Sequence, residues 1–284
     1  MSAHDMSQLW WVVPAALASL GYGLSLAGLT PAQRAVWVTA RIVEVGQPEH
    51  GASKLPGIPV TVAFQDPDSG REFVLPNTGR HGIGVDAAWV GLELTVRYPR
   101  GRPDRFRVML GTGDERGGRV VPNCTGALLA VGLVIHATVA RGYPWALLGF
   151  GALLIAWTVT SGDLRRVRTR DALLSSAVAV PARVVAVAKD VRTDGEGDEI
   201  VNHAPVITFT TREGVHVTAL SYDGIPDPGS SLGRELTIHY APSDPAFHTS
   251  DPAAERRDNE SAVGVIIIQL IAGLAAVVTG AATL

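Results

Sequence analysis

One loop of the chain carries acidic side chains at the spacing of a cation site. Residues 190–199 read Asp-Val-Arg-Thr-Asp-Gly-Glu-Gly-Asp-Glu, so the carboxylates of Asp194, Glu196 and Asp198 alternate as they do in a calcium-binding loop. The sixth position of such a loop requires glycine, but Glu199 occupies it, and no glutamate follows at the twelfth. We therefore favour a solvated hairpin tip over a calcium site.

A second group of polar residues lies shortly afterwards, at His239, Asp244, His248 and Asp251. Imidazole and carboxylate groups are ligands of zinc and partners in acid–base catalysis. However, Asp244 lies in a Ser-Asp-Pro turn where its carboxylate would cap the local backbone, and strand alternation places His239 opposite Tyr240. We favour structural roles for these residues, and we predict no catalytic, cofactor-binding or metal-binding residue in the chain.

Three further features are weaker candidates. The glycine-rich run 79–84 lacks the Lys-Ser/Thr of a phosphate-binding loop and is interpreted as a linker. His136 is ionisable and lies in an apolar segment, but it is close to Arg141 and has no acidic partner in another such segment, so a proton relay is disfavoured. Gln269 is expected to bond between helices rather than to bind a substrate. Cys124 is the single cysteine, which excludes a disulfide scaffold.

The composition indicates that much of the chain does not face water. Of 284 residues, 46% are hydrophobic and 18% are charged, and the mean hydropathy is +0.20. Disorder is excluded by the apolar content, and a net charge of −3 argues against a nucleic-acid partner. Four uncharged stretches are long enough to cross a bilayer and are predicted to be transmembrane helices: residues 9–29, 120–140, 142–161 and 261–284. Because Arg141 alone separates the middle two, we expect a tight helical hairpin there, with Gly142 and Pro144 at its tip.

The distribution of arginine predicts the orientation of these segments. Cytoplasmic flanks collect positive charge. The side holding the two large loops is rich in arginine near the segment ends, whereas the other side holds Arg141 as its one basic residue. We expect a multi-pass protein of the cell membrane with both loops in the cytoplasm and both termini outside. The residues on the arginine-rich side are Arg34, Arg41, Arg116, Arg119, Arg165, Arg166, Arg168, Arg170, Arg256 and Arg257.

Small residues repeat every four positions in two of the predicted helices. Such stripes let helix backbones approach closely, either within a four-helix bundle or between copies of the chain. The two stripes are Ser19, Gly23 and Ala27, and Ala272, Ala276 and Gly280.

The two large loops resemble each other. Residues 39–45 match residues 181–187, and residues 90–98 match residues 232–240, both at an offset of 142. In between, Pro59-Val-Thr-Val-Ala-Phe64 is taken to correspond to Pro205-Val-Ile-Thr-Phe209. We interpret the chain as a duplication of segment, domain and segment.

Within each loop apolar and polar residues alternate with a period of two, which predicts half-buried strands. Asp68-Ser69-Gly70 and Arg212-Glu213-Gly214 lie between apolar runs and predict hairpin turns. The predicted fold class is therefore a membrane α + β protein. It has four transmembrane helices and two duplicated small antiparallel β domains, residues 35–110 and 177–250, each a barrel-like or rolled sheet.

The motifs of the second loop resemble a family of bacterial membrane proteins. They read Ala-Arg-Val-Val-x-Val over residues 182–187, Pro-Val-Ile-x-Phe-x-Thr-x-x-Gly over 205–214, and Leu-Gly-x-x-Leu-Thr-Ile-x-Tyr-x-Pro-x-Asp-Pro over 232–245. This pattern resembles the domain of unknown function 3592 family, which is often actinobacterial. The first loop departs from it over residues 98–103, where the Asp is lost. The resemblance implies a membrane-anchored small β domain and assigns no catalytic residue.

These observations favour a non-enzymatic integral membrane protein. Its twin β domains would act as a scaffold or bind a protein partner or a second copy of the chain, with the lipid bilayer as the surrounding medium and no nucleic acid or cofactor involved. A small transporter or channel subunit is the alternative, although the polar pathway residues it would need are missing. A membrane-anchored hydrolase using the acidic loops of the second β domain is a third, less supported hypothesis.

Overall fold

The computed structural model describes residues 11–53, 57–77, 84–109, 120–193, 199–221 and 224–284. These residues divide into a helical unit and a β unit. The β unit comprises the described residues within 35–110 and 170–257, and the helical unit comprises the other described residues. The helices are α1 (Val12–Leu26), α2 (Pro31–Arg34), α3 (Val120–Arg141), α4 (Tyr143–Thr160), α5 (Asp163–Ser175) and α6 (Pro252–Ala282).

Four helical spans in the described part of the chain are long and apolar enough to cross a membrane. They are Val12–Arg34, Pro122–Arg141, Tyr143–Ser175 and Pro252–Ala282. Three of them extend well beyond the predicted segments: the first continues to Arg34, the third continues to Ser175, and the fourth starts at Pro252. Helix α6 starts at Pro252 rather than near residue 261, because the Asp251 carboxylate accepts hydrogen bonds from the amides of Ala253 and Ala254, both at 3.0 Å. The charged helix α5, which the apolar pattern could not predict, continues the third span.

The predicted helical hairpin is confirmed: α3 ends at Arg141, α4 starts at Tyr143, and Gly142 joins them with a φ of 98°. Helices α4 and α6 pack closely through small residues. A Cβ atom on Gly151 would lie 2.7 Å from the carbonyl oxygen of Gly273. The two helices are also linked by the Thr158 hydroxyl, which lies 3.3 Å from Oε1 of Gln269, so the hydrogen bond that Gln269 was expected to make between helices is present.

Only one of the two predicted small-residue stripes lies in a close helix contact. On α6, Ala276 and Gly280 pack against α4, but Gly273 rather than Ala272 completes the contact. On α1, Gly23 has no neighbouring atom within 4 Å of its Cβ position, and Ser19 and Ala27 are exposed. Helix α1 instead packs its Gly21 side against Pro122, because the proline ring fits the space that a side chain would occupy.

The β unit contains two antiparallel sheets, one of which is nearly barrel-shaped. The first has the strand order β3-β2-β1-β5-β6 and the second the order β11-β10-β7-β8-β9-β4. The strands are β1 (Val36–Val45), β2 (Val60–Gln65), β3 (Glu72–Asn77), β4 (Ala87–Ala88), β5 (Glu93–Tyr98), β6 (Arg107–Met109), β7 (Val178–Thr193), β8 (Glu199–Thr210), β9 (His216–Leu220), β10 (Glu235–Ala241) and β11 (Asp244–Thr249).

Equivalent strands of the two sheets pair in the same register. Val36 faces Tyr98 across β1 and β5, and Val178 faces Tyr240 across β7 and β10, with both residues shifted by 142. Strand β1 is irregular between Ile42 and Glu44, and β7 is irregular between Val184 and Ala186. The predicted hairpin turns are confirmed, since Gly70 and Gly214 adopt φ angles of 68° and 83°.

The sequence match around Pro59 is wrong by one residue. Val60 pairs with Val45, and Pro205 pairs with Val187, so Val60 rather than Pro59 is equivalent to Pro205. The two prolines are therefore not equivalent. The connection between β1 and β2 differs in length from that between β7 and β8, so residue type alone does not fix the alignment.

The sequence predicts two separate β domains, but in the structure the two β regions share one compact unit. Strand β4, from the first region, pairs with β9 of the second. One buried cluster includes Ile42 and Val62 together with Ala186 and Val206. Since neither sheet encloses this core alone, the two regions are expected to fold together.

Candidate functional site

A groove of about 540 Å³ lies in the β unit where the two β regions meet. Its size is within the range of ligand-binding pockets. The first region contributes the segment around β4 and the start of β5, and the second contributes the end of β9, strand β11 and the adjoining turns of α5 and α6. The side chains that line the groove include Asp86, Trp89, Glu93, Arg170, Leu174, Asp244, Phe247, His248 and Glu255.

An ion pair joins α5 and α6 at the groove. The guanidinium of Arg170 contacts both carboxylate oxygens of Glu255, with Nη2 2.8 Å from Oε2. The side chain of Glu255 is 12% exposed and that of Arg170 is 45% exposed. A two-point contact of this kind fixes direction as well as distance. Arg170 therefore neutralises Glu255 and holds these helix ends in place.

His248 is a partly enclosed imidazole in the groove wall. Its ring lies 6.0 Å from that of Phe209, and Nδ1 lies 3.0 Å from the carbonyl oxygen of Ala246. The register between β10 and β11 makes His248 equivalent to Phe106, a buried ring of the first region. Burial lowers the pKa of His248, and the nearby positive charge of Arg170 lowers it further, although the hydrogen bond to Ala246 opposes this shift.

The His248→Phe variant is expected to be less sensitive to mild acid than the wild type. Because the pKa of His248 is lowered on folding, the unfolded chain binds the proton more readily. The contribution of His248 to stability is therefore complete above its ordinary pKa of 6.5 and is lost as the pH falls below that value. Thermal unfolding at pH 7.5 and pH 5.5 should show a smaller fall in midpoint for the variant. His216→Phe, at an exposed position of β9, is the control, and an equal effect of both variants would contradict the assignment.

The structure brings together only two of the four polar residues singled out near the end of the second β region. Asp244 and His248 line the groove, whereas His239 faces Thr249 in the sheet and Asp251 caps α6. Asp244 accepts a hydrogen bond from the Ala246 amide at 3.1 Å, which confirms its predicted capping role. In the part of the chain that the structure describes, no group of three potential metal ligands converges. The carboxylates of residues 194, 196 and 198, and the glycine-rich run 79–84 up to residue 83, lie outside the described residues.

A tyrosine in each sheet is tied to the turn of a neighbouring hairpin. The buried Tyr98 hydroxyl donates to Oδ1 of Asp66 at 2.7 Å. In the second sheet the Tyr240 hydroxyl accepts from the Arg212 amide at 2.8 Å and lies 3.3 Å from Oε2 of Glu213. These contacts join Tyr98 of β5 to the turn between β2 and β3, and Tyr240 of β10 to the turn between β8 and β9.

The carboxylate of Asp66 is stabilised in its charged form. Hydrogen bonds from Ser69 and then from Tyr98 lower the pKa of Asp66, while burial opposes the shift. Burial and the neighbouring Asp66 carboxylate raise the pKa of Tyr98 well above its usual range, so this hydroxyl keeps its proton at ordinary pH.

The Tyr98→Phe variant is expected to be less stable than the wild type at pH 7, with the difference shrinking in acid. The lowered pKa of Asp66 makes its contribution complete above the ordinary value of 3.8, and that contribution is lost as the pH falls through the lower folded value. Removing the hydroxyl removes part of this contribution. Urea unfolding at pH 7 and pH 3 measures it, with the exposed Tyr143→Phe as the control. A difference that is unchanged at pH 3 would contradict the role of Asp66.

Sequence reasoning missed most of the groove. Trp89 and Glu93 lie beside a recognised strand, but nothing local predicts that they face β11. Arg170 and Glu255 are 85 residues apart. The sequence identifies Arg170 only as a charge flanking a membrane segment, and it gives no signal for Glu255. The one available signal was the difference between Arg102 and Asp244 at equivalent positions of the two loops.

Comparison with known proteins adds no assignment for this arrangement, since no protein-family model, curated protein or solved structure matches the chain.

Proposed function

We propose that the chain is a non-enzymatic integral membrane protein whose β unit binds a protein partner in the groove between its two β regions. The four long apolar helices support the membrane location, and the arginine distribution supports a cytoplasmic β unit with both termini outside. The groove is the observation on which the binding role rests. The sequence suggested one binding surface on each β domain, whereas the proposed binding surface is a single groove lined by residues of both β regions.

The chemistry of the groove favours binding over catalysis. Two of its carboxylates already have protein partners: Glu255 is paired with Arg170, and Asp244 accepts a hydrogen bond from the Ala246 amide. A general base or nucleophile must instead present its reactive atom to the substrate. Apolar side chains, including Trp89 and Phe247, supply the contact area that recognition of a protein requires.

The duplication and the family relationship form part of this proposal. The shared strand order and the constant offset between equivalent pairs support an origin by duplication. Membership of the domain of unknown function 3592 family, and an actinobacterial origin, rest on the sequence motifs and stay predictions.

A photocrosslinking residue at Phe247 tests the binding role in the full-length protein in its native membrane. We expect an adduct of defined mass at position 247 and none at the exposed position 74 on β3. The adduct should be lost when Trp89→Ala removes a large apolar side chain from the groove lining. Absence of a defined adduct at 247, or an equal one at 74, would exclude the groove as the binding surface. Reporters active on one side of the membrane, fused after residues 100 and 240 and at the C-terminus, test the orientation separately.

A further inference from the structure

The connection between β5 and β6 presents a row of exposed arginines. Residues 100–107, here called the arginine loop, include Arg100, Arg102, Arg105 and Arg107, all exposed, with Asp104 as the one acidic residue. Phe106 is buried beneath the loop and fixes it to the core. Arg100 is engaged by Asp68 at 2.9 Å, which leaves three guanidinium groups directed to the surface without a neutralising contact in the described residues.

The groove has the opposite charge. Glu93 and Asp244 line it in addition to the Arg170–Glu255 pair, which is neutral as a unit. Protonation of His248 is disfavoured by burial, so it adds little positive charge at neutral pH. Beside its apolar walls the groove therefore carries two carboxylates, those of Glu93 and Asp244, outside the Arg170–Glu255 pair. A guanidinium group suits such a surface, because its plane stacks on aromatic rings while its edge binds carboxylates.

The two surfaces occupy equivalent places in the two β regions. At the offset of 142, Arg102 corresponds to Asp244 and Arg105 corresponds to Phe247. The segment that follows β5 is thus basic, whereas the equivalent segment after β10, which begins β11, is acidic or apolar. One chain carries both members of a complementary pair.

We propose that the groove of one copy of the chain binds the arginine loop of a second copy. Within one chain the loop is held between β5 and β6, and it does not line the groove. If the two contacts form reciprocally, they close a dimer with twofold symmetry. This inference rests on the proposed role of the groove as a binding surface and names its occupant.

Charge reversal in the full-length protein tests the contact. The groove variant carries Glu93→Arg and Asp244→Arg, and the loop variant carries Arg102→Glu and Arg105→Glu. Donor-labelled and acceptor-labelled copies are mixed in a non-ionic detergent, and energy transfer reports their association. We expect wild-type association to weaken as salt rises from about 0.05 M to about 0.5 M, because screening shortens the reach of exposed charges. Each variant alone should associate at least about tenfold more weakly, since its groove and its loop then repel each other.

Mixing the two variants supplies the decisive result. The basic groove of one variant then faces the acidic loop of the other, and the reverse contact is complementary as well, so association should recover. The control variant reverses two exposed charges elsewhere, Glu72→Arg and Arg212→Glu, and should associate like the wild type. Failure of the mixture to recover, or a wild type that shows no energy transfer, would overturn the inference. A crosslinked adduct at 247 with a different protein would also overturn it, while leaving the proposed function intact.

Discussion

Replacing Phe64 with alanine is expected to destabilise the β unit by about 3–5 kcal/mol, the usual cost of deleting a buried aromatic ring. Phe64 is 3% exposed, and its ring packs among three other aromatic rings. Its centroid is 5.9 Å from that of Phe73, 5.5 Å from that of Tyr98 and 5.7 Å from that of Phe106. Phe64 pairs with Phe73 across β2 and β3, so collapse of the backbone into the resulting cavity would disturb this strand pair. Urea unfolding of the full-length protein in a non-ionic detergent measures the loss.

The Val74→Ala variant provides the matched control, because Val74 lies on β3 directly after Phe73 but is 56% exposed. Its effect should stay within about 0.5 kcal/mol. Hydrogen exchange adds a sharper test of the shared core. In Phe64→Ala, protection should also fall at Ala186 and Val206 in the second β region, because they belong to the same buried cluster. Exchange that changes only in the first region would show that the two regions unfold independently.

The parts of the fold that sequence could predict are those specified by local patterns. Alternation predicts that Leu92, Leu94, Val96 and Tyr98 share one face. The last three are buried and Leu92 is half-buried. The helical hairpin followed from Arg141 standing alone between two apolar runs. In both cases the solvent preference of each side chain, read over a few residues, determines the element.

The groove and the shared core could not be predicted in this way. Strand β4 is two residues long, and its pairing with β9 depends on how distant segments meet. The contact between Arg170 and Glu255 likewise depends on where two helices converge. Such contacts carry no periodic signal in the sequence. The same limit explains the misaligned Pro59, since residue type was compared there without the pairing that fixes the register.

Replacing Gly151 with leucine is expected to disrupt the close contact between α4 and α6. Any Cβ at this position would lie 2.7 Å from the Gly273 carbonyl oxygen and 3.0 Å from the Ala276 Cβ, so the leucine side chain must push the helices apart. Overpacking typically costs about 1–3 kcal/mol, and here the hydrogen bond between Thr158 and Gln269 would be strained as well. Gly264→Leu is the control, because nothing lies within 4 Å of its Cβ position on α6. Thermal loss of the monodisperse protein in detergent should begin at a lower temperature for Gly151→Leu than for Gly264→Leu. Equal stability of the two variants would mean that α4 and α6 do not pack through these glycines.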